Sequence, residues 1–191
     1  IITAPVGAYY RDGFAPTKIL VADRHIRAAA GGVGEAKTSG NYAPTLLATR
    51  EAPGQGFTQV LWPDAAERKY IEEIGPSNVF LGMGEELVTP PLGGTILPGV
   101  TRDCVLTIAR DWGLQVCERR IAIDEVIEGC RDGRVKEMFA TGTAAVISPI
   151  GEITYKGTTI VVADGKTGQL SQRLHQEITG IQYGHNEDRF E

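Results

Sequence analysis

The sequence predicts a mixed α/β domain, with an open, barrel-like mixed sheet at its centre and helices at its periphery. Three observations carry this expectation. Eight short runs have the alternation or β-branched density of strands, against four with helical periodicity. Their order along the chain is irregular, and no repeat, coiled coil or low-complexity segment interrupts it. At 191 residues, 42% hydrophobic and 23% charged, the chain has the size and composition of one globular domain.

In chain order, strands are expected at Thr17–Ala22, Thr58–Trp62, Lys69–Ile74, Asn78–Met83, Gln115–Ile121, Glu137–Ala140, Ala145–Ile150 and Thr158–Val162. A helix is expected from Tyr42 to about Glu51. Thr101–Trp112 is the clearest helix: Val105, Ile108, Ala109 and Trp112 share one face, and Gly113 ends it. A short helix covers Asp124–Cys130, with Asp124 as its N-cap. Ser171–Thr179 repeats the amphipathic pattern and stops at Gly180.

Composition narrows the function classes. A net charge of -5 with no basic stripe argues against nucleic acid and anionic membrane surfaces as partners. No segment is long and apolar enough to span a bilayer. Cys104, Cys117 and Cys130 lack the paired spacing of a zinc site, and an odd count argues against a disulfide framework, so no metal is expected and a reducing cytoplasm is the simplest compartment. The apolar opening Ile1-Ile2-Thr3-Ala4-Pro5-Val6-Gly7 reads as a piece of something longer.

The residue of most chemical interest is Lys37, a lone cation within Gly31-Gly32-Val33-Gly34-Glu35-Ala36-Lys37-Thr38-Ser39-Gly40. A lysine held there away from bulk water has a depressed pKa and serves as an amine nucleophile or base. The alternative is a solvated charge in a flexible loop. A phosphate loop is disfavoured because Ala36 stands where glycine is required, and the glycine spacing does not fit a dinucleotide fingerprint.

Three further segments complete a cofactor inventory. Leu97-Pro98-Gly99-Val100-Thr101 leads into a helix whose unpaired N–H groups suit a phosphate, or is an ordinary turn with a threonine cap. Thr141-Gly142-Thr143-Ala144 offers N–H and O–H donors to an anion, or is a tight connection chosen for sterics. In Glu72-Glu73 successive side chains point to opposite faces of a strand, so one is solvated while the other faces inward and needs a cation, such as a protonated pyridine nitrogen. An amine, an inward carboxylate and two anion cradles are what pyridoxal phosphate requires.

The segments Gly34-Glu35-Ala36-Lys37-Thr38-Ser39-Gly40-Asn41-Tyr42, Gln59-Val60-Leu61-Trp62, Leu97-Pro98-Gly99-Val100-Thr101-Arg102, Gly142-Thr143-Ala144 and Thr179-Gly180-Ile181-Gln182-Tyr183-Gly184 resemble the branched-chain amino acid aminotransferases, class IV pyridoxal-phosphate enzymes. The resemblance runs through the whole chain in order. It implies the large domain of that fold over residues 16–191, with 1–15 as the remnant of an interdomain loop and the small N-terminal domain absent.

The resemblance also implies roles. Lys37 matches the Schiff-base lysine and Tyr42 the tyrosine on the cofactor's phenolic oxygen. Glu73, by its spacing to Asn78, matches the carboxylate on the pyridine nitrogen, and Leu97 packs against the ring. Val100 and Thr101 match the phosphate-binding helix start, and Thr143 a further phosphate contact. Thr143 and Ala144 cradle the substrate carboxylate. Tyr9, with Tyr10 as its rival, lines the substrate pocket. The implied reaction moves the amino group of leucine, isoleucine or valine to 2-oxoglutarate, releasing a branched 2-oxo acid and glutamate, in a cytoplasmic homodimer when full-length. A truncated, non-catalytic cofactor-binding domain is the second expectation, and a D-amino acid transaminase or aminodeoxychorismate lyase the third. The redox Cys-x-x-Cys of the mammalian enzymes is replaced here by Ala145–Ser148.

Overall fold

The computed structural model describes residues 2–5 and 13–190. Its elements run β1 (Thr17–Val21), α1 (Ser39–Tyr42), α2 (Leu46–Glu51), β2 (Gln59–Pro63), β3 (Ile71–Ile74), β4 (Ser77–Met83), β5 (Glu86–Thr89), α3 (Val100–Asp111), β6 (Gln115–Glu118), α4 (Ile123–Arg131), β7 (Val135–Gly142), β8 (Val146–Tyr155), β9 (Thr158–Val161) and α5 (Gln169–Gln182).

Six strands close a barrel in the order β3-β2-β1-β8-β7-β4, with the ring completed by the β3–β4 hairpin (Glu73 opposite Asn78, Ile74 opposite Ser77). The barrel is therefore closed, where the sequence suggested an open one. Closure depends on β1, which runs parallel to both β2 and β8 and pairs Thr17 with Ile150. β5 and β6 extend the sheet beyond β4, and β9 pairs with β8.

The period-two alternation of the strands sorts side chains between two cores. Ile19, Val21, Leu61, Val79, Leu81, Met138, Ala140 and Ile153 share one buried cluster inside the barrel. Phe80 and Phe139, opposite each other on β4 and β7, point outward and stack at 5.4 Å beneath Val105 and Ile108 of α3 and Leu174 and Ile178 of α5. Each fully buried Phe contributes about 2–3 kcal/mol of transfer free energy to holding those helices on the barrel.

Several strand ends shift, with β6 stopping at Glu118, β7 spanning Val135–Gly142 and β8 reaching Tyr155, and four departures go beyond such shifts. The helix foreseen from Tyr42 to about Glu51 is broken into α1 and α2 by a 3-10 turn, Ala43–Thr45, because Pro44 has no N–H to continue the ladder. α4 is capped by Ala122, not Asp124; Asp124 lies in the first turn, where a carboxylate meets the positive end of the dipole. α5 runs through Gly180 to Gln182, and the Gly180 carbonyl accepts the closing bonds from the His185 and Asn186 amides. β5, which follows β4 directly across a turn where Gly84 takes φ 59, is not among the expected strands. No helix among the described residues is long and apolar enough to cross a membrane.

Candidate functional site

The cross-strand register lays Trp62, Glu73, Asn78 and Thr141 side by side on the outer face of β2, β3, β4 and β7, next to the Phe80–Phe139 pair. Above this row lies a cleft of about 400 Å³ lined by Lys37, Asn78, Leu97, Gly99, Val100, Thr101, Thr141, Thr143 and Ala144. A smaller pocket of about 190 Å³ shares Pro76 and Leu97 with it and is lined by Arg27, Tyr42, Gln59 and Glu73. Eight of the residues singled out in the sequence thus surround one pair of adjoining pockets. Tyr9 and Tyr10 lie outside the described residues.

The lysine loop is held from beneath. The Asn41 amide donates to the carbonyls of Gly34 and Ala36, each at 3.1 Å, and Arg27 donates to Gly34 O at 3.2 Å and Asn41 Oδ1 at 2.7 Å. Gly34 has no room for a side chain: a Cβ there would lie 2.7 Å from the Thr95 backbone. Lys37 itself is exposed, its Nζ 5.8 Å from the centre of the Tyr42 ring. Its expected seclusion from water is therefore not a property of these residues alone.

Glu73 is the electrostatic centre. Its side chain and that of Arg27 are each 3% exposed, and Arg27 Nε lies 3.0 Å from Glu73 Oε2 without the alignment of a directed hydrogen bond. Glu73 Oε1 accepts from Asn78 Nδ2 at 3.0 Å and from the Leu97 amide at 3.1 Å. Burial pushes the carboxyl up to about 7, against the opposing pull of Arg27, the Leu97 amide and Lys37, while neighbouring Glu72 pushes the same way as burial. Glu72 is buried too, contrary to the expectation that one of the pair is solvated.

A raised carboxyl makes stability fall with pH. The unfolded chain releases this proton near pH 4.5 and the folded chain near 7, so the contribution is full below 4.5 and lost as pH rises through about 7. In urea unfolding without added cofactor, wild type is expected to lose about 1 kcal/mol more than Glu73→Gln between pH 6 and pH 8. Parallel profiles for the two proteins would refute the shifted carboxyl.

The opposite end of the cleft suits an anion. Gly99 caps α3 without a side-chain bond, so the first amides of the helix, including those of Val100 and buried Thr101, are free to meet a ligand. Gly99 is demanded by close approach, since a Cβ would lie 2.2 Å from Asn78 Oδ1. Thr143 and Ala144 form the exposed turn between paired Gly142 and Val146, and Val146 takes φ 58, rare for a β-branched residue. Thr141 Oγ1, in the wall of the cleft, and Gln59 Oε1, in that of the smaller pocket, are buried without a partner among the described residues. Amine, carboxylate and anion cradle therefore fit a phosphorylated pyridine aldehyde.

Arg27 and Thr95 are not singled out by the sequence, while Asn41 and Thr141 stand out in it only as members of longer segments, without a role of their own. Arg27 sits in Arg27-Ala28-Ala29-Ala30, which has no motif; the only signal was that an inward glutamate needs a buried cation.

The amino-transferase class IV family model matches residues 4–153. A branched-chain-amino-acid aminotransferase of Bacillus subtilis is 51% identical over 190 residues, covering 100% of this chain and 52% of that protein. The crystal structure of the Escherichia coli branched-chain amino acid aminotransferase superposes with a TM-score of 0.84 at 30% identity, over 98% of this chain and 58% of that one. The T.th. branched-chain amino acid aminotransferase with pyridoxamine 5'-phosphate gives 0.79 at 27% identity, over 95% and 56%. The chain spans about half the length of the curated relatives it matches.

Proposed function

The chain belongs to the class IV aminotransferase family, and on that footing we propose that residues 16–191 are the cofactor-binding domain of a branched-chain amino acid transaminase. Its cofactor is pyridoxal 5'-phosphate, covalently anchored on Lys37, and it moves the amino group of leucine, isoleucine or valine to 2-oxoglutarate. The observation that carries this reading is the cleft that joins Lys37 to the uncapped start of α3 at one end and, past Leu97, to buried Glu73 at the other.

Pyridoxal phosphate, when bound, supplies an electron sink for charge developing at the substrate's Cα. The chain's own residues do the rest. The Val100 and Thr101 amides and the Thr143 hydroxyl hold the phosphate. Glu73 holds a proton on the ring nitrogen, Tyr42 donates to the phenolic oxygen, and Leu97 forms one wall for the ring. The Thr143 and Ala144 amides orient the substrate carboxylate, and Lys37 Nζ moves the Cα proton. The same reading implies a homodimer acting in the cytoplasm.

A second reading has a specific observation behind it. Leu46, which lines the smaller pocket with Tyr42, is 66% exposed, the adjacent Leu47 is 55% exposed, and Lys37 is exposed, so this side of the site is uncovered. On that reading the chain binds cofactor but turns over little by itself. The test is borohydride reduction of the chain with pyridoxal phosphate, peptide mapping, and an assay of leucine–2-oxoglutarate exchange against D-alanine as donor. We expect the label on Lys37 and a preference for leucine. A label on another lysine defeats the proposal; a label on Lys37 without exchange selects the binding-only reading.

A further inference from the structure

Glu72 and Glu73 are consecutive residues of β3, and both are buried, yet the chemistry above uses only Glu73. Each carboxylate grips one end of the same three-residue segment. Glu72 Oε1 accepts from Thr95 Oγ1 at 2.6 Å, and Glu73 Oε1 accepts from the Leu97 amide at 3.1 Å. The segment so held bears on every part of the site. Thr95 O accepts from Arg27, the cation facing Glu73. Leu97 O accepts from Asn78 Nδ2 at 2.9 Å, and two residues beyond Leu97 comes Gly99, the cap of α3.

We propose that Glu72 is a positioning residue for the cofactor site: through the Thr95 hydroxyl it clamps Thr95–Leu97, and thereby sets the placement of Leu97, of Arg27 and of the start of α3. The proposal rests on the cofactor reading given above. It has a chemical reason. The β2–β3 ladder shifts register here, pairing Trp62 with Glu73 and Pro63 with Ile71, so Glu72 is the extra residue of a bulge that breaks strict alternation and lets two adjacent carboxylates hold one loop at two points where one would leave a hinge. The second Glu72 oxygen, Oε2, is buried and has no partner among the described residues, so no other hydrogen bond accounts for burying this carboxyl. Thr95 is the only hydrogen-bond partner of the Glu72 side chain among the described residues.

The clamp needs an acceptor at Oε1, not a charge. Glu72→Gln keeps the acceptor, Glu72→Ala removes it, and Thr95→Val removes the donor at nearly constant volume. Two readouts on the 191-residue chain test this. The first is hydrogen exchange of the peptide spanning Thr95–Thr101, measured without cofactor. The second is the dissociation constant of pyridoxal phosphate from its absorbance change on binding.

Glu72→Ala and Thr95→Val are each expected to speed exchange of that peptide and weaken cofactor binding by about tenfold, the size of one lost hydrogen bond. The double variant should be no worse than either single one. Glu72→Gln should bind within about threefold of wild type. Independent, multiplying effects of Glu72→Ala and Thr95→Val overturn the clamp. So does equal weakening by Gln and Ala, which would mark a charge effect, and so does unchanged exchange in Glu72→Ala. Failure of wild type itself to bind pyridoxal phosphate defeats the cofactor reading and with it the role assigned to Glu72; the exchange data then still report whether the clamp exists. If Glu72→Ala does not fold, Thr95→Val against Glu72→Gln decides by the same readouts.

Discussion

Replacing Lys37 with alanine is expected to abolish leucine-dependent amination of 2-oxoglutarate, a loss on the order of 10⁴-fold or more, and to eliminate borohydride fixation of pyridoxal phosphate. The variant should nevertheless fold. Lys37 is exposed, makes no ion pair among the described residues, and lies in a loop held by Arg27 and Asn41. Truncating such a side chain changes stability by no more than about 0.5 kcal/mol. The phosphate cradle at α3 and the Glu73 carboxylate stay in place, so residual non-covalent cofactor binding is expected. That separates loss of chemistry from loss of the site. Lys37→Ala with more than about a tenth of wild-type exchange would remove Lys37 from its assigned role.

The local parts of this site were legible in the sequence, and the long-range parts were not. Glycines around Lys37 and before Thr101 marked two places where backbone approaches something closely, and the structure uses Gly34 and Gly99 in that way. Strand alternation located most of the strands, because a half-buried strand needs it. Barrel closure could not be read in the same way. It depends on Thr17 meeting Ile150 across most of the chain, and nothing local in either strand names the other. The same holds for Arg27, whose anionic partner is Glu73. It is followed by three alanines and lies in no motif, and apart from the Asn41 side chain its hydrogen bonds go to backbone carbonyls that any residues would supply. The exposure of Lys37 was also unreadable, since its loop sequence is compatible with either a sealed or an open cleft.

Replacing Arg27 with methionine, which keeps the length of the stem but not the charge, is expected to destabilise the chain by about 3–5 kcal/mol at pH 8. For a domain of this size that is a fall in Tm on the order of 10 °C. The loss has two sources. Glu73 is left buried without its cation, and the carbonyls of Gly34 and Thr95 and the Asn41 side chain lose a shared donor. Only the first source is charge-dependent, and pH separates them. Without Arg27 the Glu73 carboxyl is pushed further up by burial, so it holds its proton to higher pH. Stability lost on ionisation is then regained on lowering the pH, and Arg27→Met should be markedly less damaging at pH 5.5 than at pH 8. Adding Glu73→Gln should recover part of the loss at pH 8, because a neutral amide costs less to bury than an unpaired carboxylate. Fully additive destabilisation by Arg27→Met and Glu73→Gln would mean that the two residues do not act as a pair. A pH-independent loss in Arg27→Met would mean that the guanidinium serves only as a tie between loops. If both effects appear as expected, Arg27 is the group that balances Glu73 while the domain carries no cofactor.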